Sequence, residues 1–81
     1  MNTQARIEQF IIDDILQGGR KSIAIDEPLV SNGVIDSLGM LRLISFLEQE
    51  MNLTVGDGEV APENFETMRK ILEFVERKQK G

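Results

Sequence analysis

The sequence of 81 residues contains no cysteine, no histidine, no tryptophan and no tyrosine. Without cysteine there is no disulfide, no thiolate metal site and no thiol nucleophile in the chain itself. Without histidine it lacks the one side chain whose unperturbed pKa lies near neutrality, the usual choice for general acid–base work. Stacking on bases or sugars would fall to four phenylalanines. No apolar run approaches the ~20 residues of a membrane-spanning helix, and no basic-then-apolar leader opens the chain. The chain reads as a cytosolic protein and as a poor candidate for an autonomous enzyme, since carboxylates are almost its only means of acid–base chemistry.

What is present fits one small domain, expected to span residues 1–81. A chain this short buries roughly 60–65 % of its unfolded surface, enough for one modest core but not for a large internal cavity. Its formal charge of −5 is unevenly spread. Residues 1–68 carry 4 Lys/Arg against 12 Asp/Glu, whereas residues 69–81 carry 5 against 2. The acidic body repels nucleic acid and anionic membrane and attracts basic partners. The basic stretch Arg69, Lys70, Arg77, Lys78, Lys80 sits where a terminal helix ends, and the helix dipole favours cations there.

Periodicity divides the chain into helices and one long irregular segment. Thr3 is a candidate N-cap, and Ile7, Phe10, Ile11, Ile15 and Leu16 follow at helical spacing, predicting a first helix over 3–17 closed by Gly18-Gly19. Residues 19–36 hold Pro28, an Asn32-Gly33 turn signal and the scattered aliphatics Ile23, Ile25, Leu29, Val34 and Ile35. A loop of this length is usually functional or pinned, and its aliphatics predict pinning against a core. Asp36 is the expected N-cap of a second helix with Ser37 in its first turn. Met40, Leu43, Ile44, Leu47 and Met51 form one apolar stripe. Gly56, Asp57 and Gly58 break the chain; Asp57-Gly58-Glu59 lacks the ligand spacing of a calcium loop and reads as a turn. Pro62 opens a short third helix around 62–66, and a last helix over about 67–78 buries Met68, Ile71, Leu72 and Val75, with Phe74 partly covering an edge. The expected fold is all-α: a small four-helix bundle, three longer helices plus one short, with a long loop between helices 1 and 2.

The run Gly33-Val34-Ile35-Asp36-Ser37-Leu38, at a helix start behind a long loop, resembles the phosphopantetheine attachment site of acyl and peptidyl carrier proteins. Asp-Ser-Leu alone carries little weight; within this order of helices and this length it carries much, and the resemblance spans nearly the whole chain. It implies that Ser37 takes a 4′-phosphopantetheine arm from coenzyme A, and that the arm's thiol holds an acyl or aminoacyl group. The residues are suited to that. A helix N-terminus offers unpartnered N–H groups and a positive dipole end to an attached phosphate. Asp36 caps the helix and is placed to meet a basic group or metal on a modifying enzyme. Gly33 supplies a turn residue of free φ and little bulk.

With Met40 at zero on a helical wheel, Leu41 lies near 100°, Leu38 near 160° and Arg42 near 200°, all outside the core stripe. Leu38, Leu41 and Arg42 are therefore candidates for partner docking, the alternative being that the long loop covers the leucines. Carriers of bacterial fatty-acid synthesis usually have carboxylates just after the serine. Here Gly39 and Arg42 stand in those places, and Glu48 and Glu50 restore charge only further on. Pro28-Leu29 through Leu38 and Glu63-Asn64-Phe65-Glu66-Thr67-Met68 are closer to aminoacyl carriers, among them discrete D-alanyl carriers and peptidyl carrier domains. The resemblance then implies three partners: a phosphopantetheinyl transferase, an adenylating ligase and a downstream acceptor enzyme. The expected protein is a monomer that binds neither metal nor nucleic acid and does not insert into membranes. It is expected to be discrete, although an excised domain would look similar. A fatty-acyl or polyketide carrier, and an unmodified acidic helical module for protein interaction, are the alternatives.

Overall fold

The computed structural model describes residues 2–80, and helices are the only regular elements among them. Helix α1 spans Thr3–Phe10, α2 spans Ser37–Glu50 and α3 spans Met68–Lys80. A π-helical turn, Ile11–Ile15, continues α1, and two 3₁₀ turns, Asp57–Glu59 and Pro62–Asn64, lie between α2 and α3. The short third helix is thus a single 3₁₀ turn opened by Pro62, because the chain turns away at Phe65 to bury that ring.

The N-cap of α1 is Asn2 rather than Thr3, its carboxamide oxygen accepting from the Ala5 N–H at 2.7 Å. Ile7 and Ile11, four residues apart, are buried, as α-helical spacing predicts. Beyond Ile11 the turn widens: the Leu16 N–H donates to Ile11 O and the Gly18 N–H to Ile12 O. The wider turn brings Ile12 into the core and leaves Phe10, Ile15 and Leu16 only partly covered, against the expected stripe. Gln17 and Gly18 then both take positive φ, 54° and 78°, so the left-handed pair falls one residue earlier than Gly18-Gly19. For Gln17, whose Cβ meets the backbone there, this conformation costs about 1 kcal/mol.

Helix α2 follows its stripe closely: Met40, Leu43, Ile44 and Leu47 are buried, and Met51 is buried just beyond its end. In α3 two assignments change places. Phe74 is fully buried, edge-to-face with Phe65 at 5.3 Å between centroids, while Leu72 is only partly covered. Burying the larger ring removes more apolar area from water, which decides the rotation of the helix. Arg77 lies over the outer face of Phe74 at 5.6 Å.

The long loop is fastened from three sides. Ile23, Leu29 and Ile35 are buried in the core, as the aliphatics of the long loop predict. The Glu8 carboxylate on α1 accepts from the Ile23 N–H at 2.7 Å. The Glu66 carboxylate accepts from the Ser31 N–H, and the Glu66 carbonyl from the Leu29 N–H at 2.6 Å. Arg69 grips Asp26 with a two-pronged guanidinium while its N–H donates to Ile25 O. A segment without regular structure thereby delivers Ser37 from a fixed position.

Candidate functional site

All buried side chains among the described residues are apolar, so the groups available to a ligand or partner lie at the surface. The sequence motif directs attention to the start of α2. Gly33 closes a turn there, its N–H donating to Val30 O, at φ 76°. That left-handed value is the reason for glycine; a Cβ at this position would meet nothing within 4 Å, leaving the approach open. Ile35, buried, anchors the strand of loop that follows.

Asp36 is extended and caps α2: its Oδ1 accepts from the Gly39 N–H at 2.7 Å. Ser37 is the first helical residue and is exposed. Helix start, cap and exposed hydroxyl therefore stand as the motif anticipates. A phosphate joined to Ser37 would sit in the favourable field of the helix's first turn, with no side chain closing over it. The residues fit the attached group on that observation.

Leu38 and Leu41 are 61 % and 57 % exposed, so the long loop does not cover them. In a chain of this size two neighbouring, uncovered leucines beside an exposed serine form a local apolar patch. Arg42 also points outward, but not as an isolated charge: its guanidinium meets Asp14 at the end of the π-helical turn at 3.1 Å. Gly39, which stands where fatty-acid carriers usually have a carboxylate, is buried. A Cβ there would lie 3.2 Å from Oδ1 of Asp36, 3.4 Å from Cγ2 of Ile15 and 3.6 Å from Cγ2 of Ile35. The glycine is the space into which the π-helical turn presses. A glycine inside a helix was itself the signal, because such a residue usually has a packing reason.

A groove of about 360 Å³ opens between the π-helical turn and the first turns of α2. Asp36 and Leu38, the chain neighbours of Ser37, both line it. Ile15, Leu16 and Val34 give it apolar surface, and Asp14 and Arg42 lie at its polar side. Periodicity could not show this groove, because it depends on the widened turn.

Elsewhere, ion pairs tune the loop that carries the site. The Arg20 guanidinium, hydrogen-bonded to Glu27, holds that carboxyl below its ordinary value. Arg69 does the same for Asp26 through its side-chain hydrogen bonds.

Helical architecture, a capped serine at a helix start and an exposed apolar flank define a small all-α protein with an exposed serine beside an apolar patch. Comparison with known proteins places it further. The chain is 40 % identical over 75 residues to the D-alanyl carrier protein of Streptococcus pyogenes serotype M5 (strain Manfredo), covering 90 % of this chain and 95 % of that protein. It is 36 % identical over 69 residues to the D-alanyl carrier protein of Streptococcus suis (strain 05ZYH33), covering 85 % and 80 %. It is 27 % identical over 74 residues to the probable acyl carrier protein PigG of Serratia sp. (strain ATCC 39006), covering 91 % and 85 %. Among solved structures, a chain of one described as a crystal structure of FAD-dependent dehydrogenase superposes with a TM-score of 0.76 at 28 % identity, covering 85 % of this chain and 97 % of that one. No protein-family model matches. The chain belongs to the acyl and aminoacyl carrier protein family.

Proposed function

We propose that Ser37 carries a 4′-phosphopantetheine arm and that the protein holds an aminoacyl group on it for transfer. The observation that supports this most directly is the exposed Ser37 at the capped start of α2, in a chain 40 % identical to a D-alanyl carrier protein. When bound, the arm supplies the thiol the chain lacks and holds the cargo as a thioester. Ser37 provides the attachment oxygen, Asp36 fixes the helix start and Gly33 keeps the approach open. Leu38 and Leu41 offer apolar contact to a phosphopantetheinyl transferase, an adenylating ligase and a downstream acceptor. Aminoacyl cargo is favoured over fatty-acyl cargo by the curated relatives' names and by Arg42 and Gly39, which leave the first turns of α2 without added carboxylates. Enzymes that grip such carboxylates through Arg or Lys should use this protein less well.

Intact mass after incubation with coenzyme A and a broad-specificity transferase tests the attachment. A single added arm, absent in Ser37→Ala, is expected. No mass change would leave an unmodified helical interaction module; an arm mapped to Ser22, Ser31 or Ser45 would displace the site.

A flavin-dependent dehydrogenase is a specific candidate for the downstream partner. The matched chain in the dehydrogenase structure is close in size to this protein, as the 97 % coverage requires. Mixing the loaded protein with such an enzyme should bleach the flavin absorbance, as two electrons and two protons pass from the cargo to the flavin and leave the cargo with one more double bond; the unloaded protein, which has no donor, should not.

A further inference from the structure

We propose that the groove beside Ser37 is a seat for the ammonium group of an aminoacyl cargo; this rests on Ser37 being the attachment residue. Its volume, about 360 Å³, falls within the range of small-ligand sites. Its lining is more polar than apolar, as suits a charged group, while Ile15, Leu16, Val34 and Leu38 leave an apolar side for a short hydrocarbon side chain. Its charged groups are two carboxylates, Asp14 and Asp36, and one cation, Arg42, so it is net negative before any phosphodiester is added at Ser37.

Neither carboxylate is saturated. Arg42 reaches Asp14 through one nitrogen to one oxygen, and Asp36 accepts from Gly39 through Oδ1. An ionised carboxylate has about four acceptor positions, so each retains capacity for a further donor. The Asp14–Arg42 pair is about half exposed, with side chains 42 % and 52 % accessible. Such a pair contributes about 0.2–1 kcal/mol and yields readily to a competing cation. A free amino acid would bind this groove weakly. A tethered one arrives at an effective concentration in the mM range, at which a seat with Kd near 1 mM is substantially filled. A fatty-acyl group, having no cation, gains nothing from Asp14.

Leu38 gives the seat a coupling to partners. It belongs at once to the groove and to the exposed flank, so a partner that takes hold of Leu38 removes one side of the seat and frees the cargo.

The test uses the full chain, ¹⁵N-labelled and modified with amide analogues of coenzyme A ending in an alanyl or a propionyl group. These differ only in the ammonium. Relative to the arm alone, the alanyl form should shift the amides of Ile15, Gln17, Gly33 and Gly39, and the propionyl form should not. Raising salt should shrink the alanyl shifts at least twofold. Asp14→Asn should abolish them, whereas Arg42→Gln, which releases Asp14 from its pair, should enlarge them about twofold. Both substitutions break the same ion pair, so a loss common to both variants reports the pair and overturns the seat. Coincident alanyl and propionyl spectra also overturn it while leaving the attachment intact. Failure of the arm to attach at Ser37, read by intact mass, overturns both.

Discussion

Gly39 offers the sharpest test of how α1 and α2 meet. In an exposed helix interior, Gly→Ala gains about 1 kcal/mol from helix propensity. Here the new methyl would stand 3.2 Å from Oδ1 of Asp36 and 3.4 Å from Cγ2 of Ile15. The carboxylate has little room to retreat, since it is held at 2.7 Å by the N–H of Gly39 itself. Ile15 is fixed by the π-helical turn behind it. Added volume in a well-packed site costs about 1–3 kcal/mol. The propensity gain should therefore be cancelled, leaving Gly39→Ala level with the parent or up to about 2 kcal/mol less stable. Gly39→Asp adds a carboxylate among Ile15, Ile35 and the carboxylate of Asp36, and should cost at least about 2 kcal/mol. For a protein of this size that lowers Tm by roughly 8–16 °C. Urea unfolding at constant m-value with a parallel thermal melt measures both. Gly39→Ala stabilised by the full ~1 kcal/mol, with Gly39→Asp equal to the parent, would refute the close contact. It would also make position 39 a surface position, where an acidic residue could retune partner choice without unfolding the protein.

Leu38→Ala should cost under about 1 kcal/mol, against 2–5 kcal/mol for the buried Leu43→Ala, while slowing arm transfer or loading; equal losses of Tm with unchanged loading would assign Leu38 to the fold. Glu66→Ala removes the acceptor for the Ser31 N–H and should raise amide hydrogen exchange at Ser31 and Gly33 while α2 stays protected. Unchanged exchange would show that burial of Leu29 alone holds the loop. Because Glu27 and Asp26 titrate below their ordinary values when folded, their contribution is complete above the unfolded carboxylate pKa of about 4 and is lost as pH falls through the lower folded values. The urea midpoint should be flat from about pH 7 to 5 and then fall, less steeply in the double variant Asp26→Asn, Glu27→Gln. Identical curves would remove these pairs from the account.

The parts of the fold that were legible in the sequence are those governed by a regular period. The α2 stripe from Met40 to Met51 and the outward leucines follow from 100° per residue, the Asp36 cap follows from residue type, and the structure agrees. The end of α1 was not legible, because a π-helical turn advances by a different angle and moves Ile12 inward with no change in composition. The exchange of Phe74 and Leu72 has another cause. They lie on opposite edges of the Met68, Ile71 and Val75 stripe, and the choice depends on Phe65, an element away in sequence. At the site, Ser37, Asp36 and Gly33 were found from adjacency in the chain. The groove and the Asp14–Arg42 pair join residues 28 apart, and a period carries no information about such a meeting.

Acidity reads differently once the partners of the carboxylates are known. Glu8, Asp36, Glu48, Glu59 and Glu66 each accept from a backbone N–H in or beside an irregular segment: at Ile23, Gly39, Val55, Gly56 and Ser31. A small chain without disulfides has few other ways to satisfy loop N–H groups that no helix or strand partners. These carboxylates hold loops or a helix start while keeping their negative charge, so they still contribute to the attraction of basic partners. Asp57, Glu63 and Glu73 make no side-chain hydrogen bond among the described residues, so their charge can be removed without freeing a loop. Asp57→Asn with Glu63→Gln should therefore flatten the salt dependence of partner association at little cost in stability. Stopped-flow association with the ligase at two ionic strengths measures the slope, and a slope unchanged by the double substitution would return the attraction to the loop-holding carboxylates.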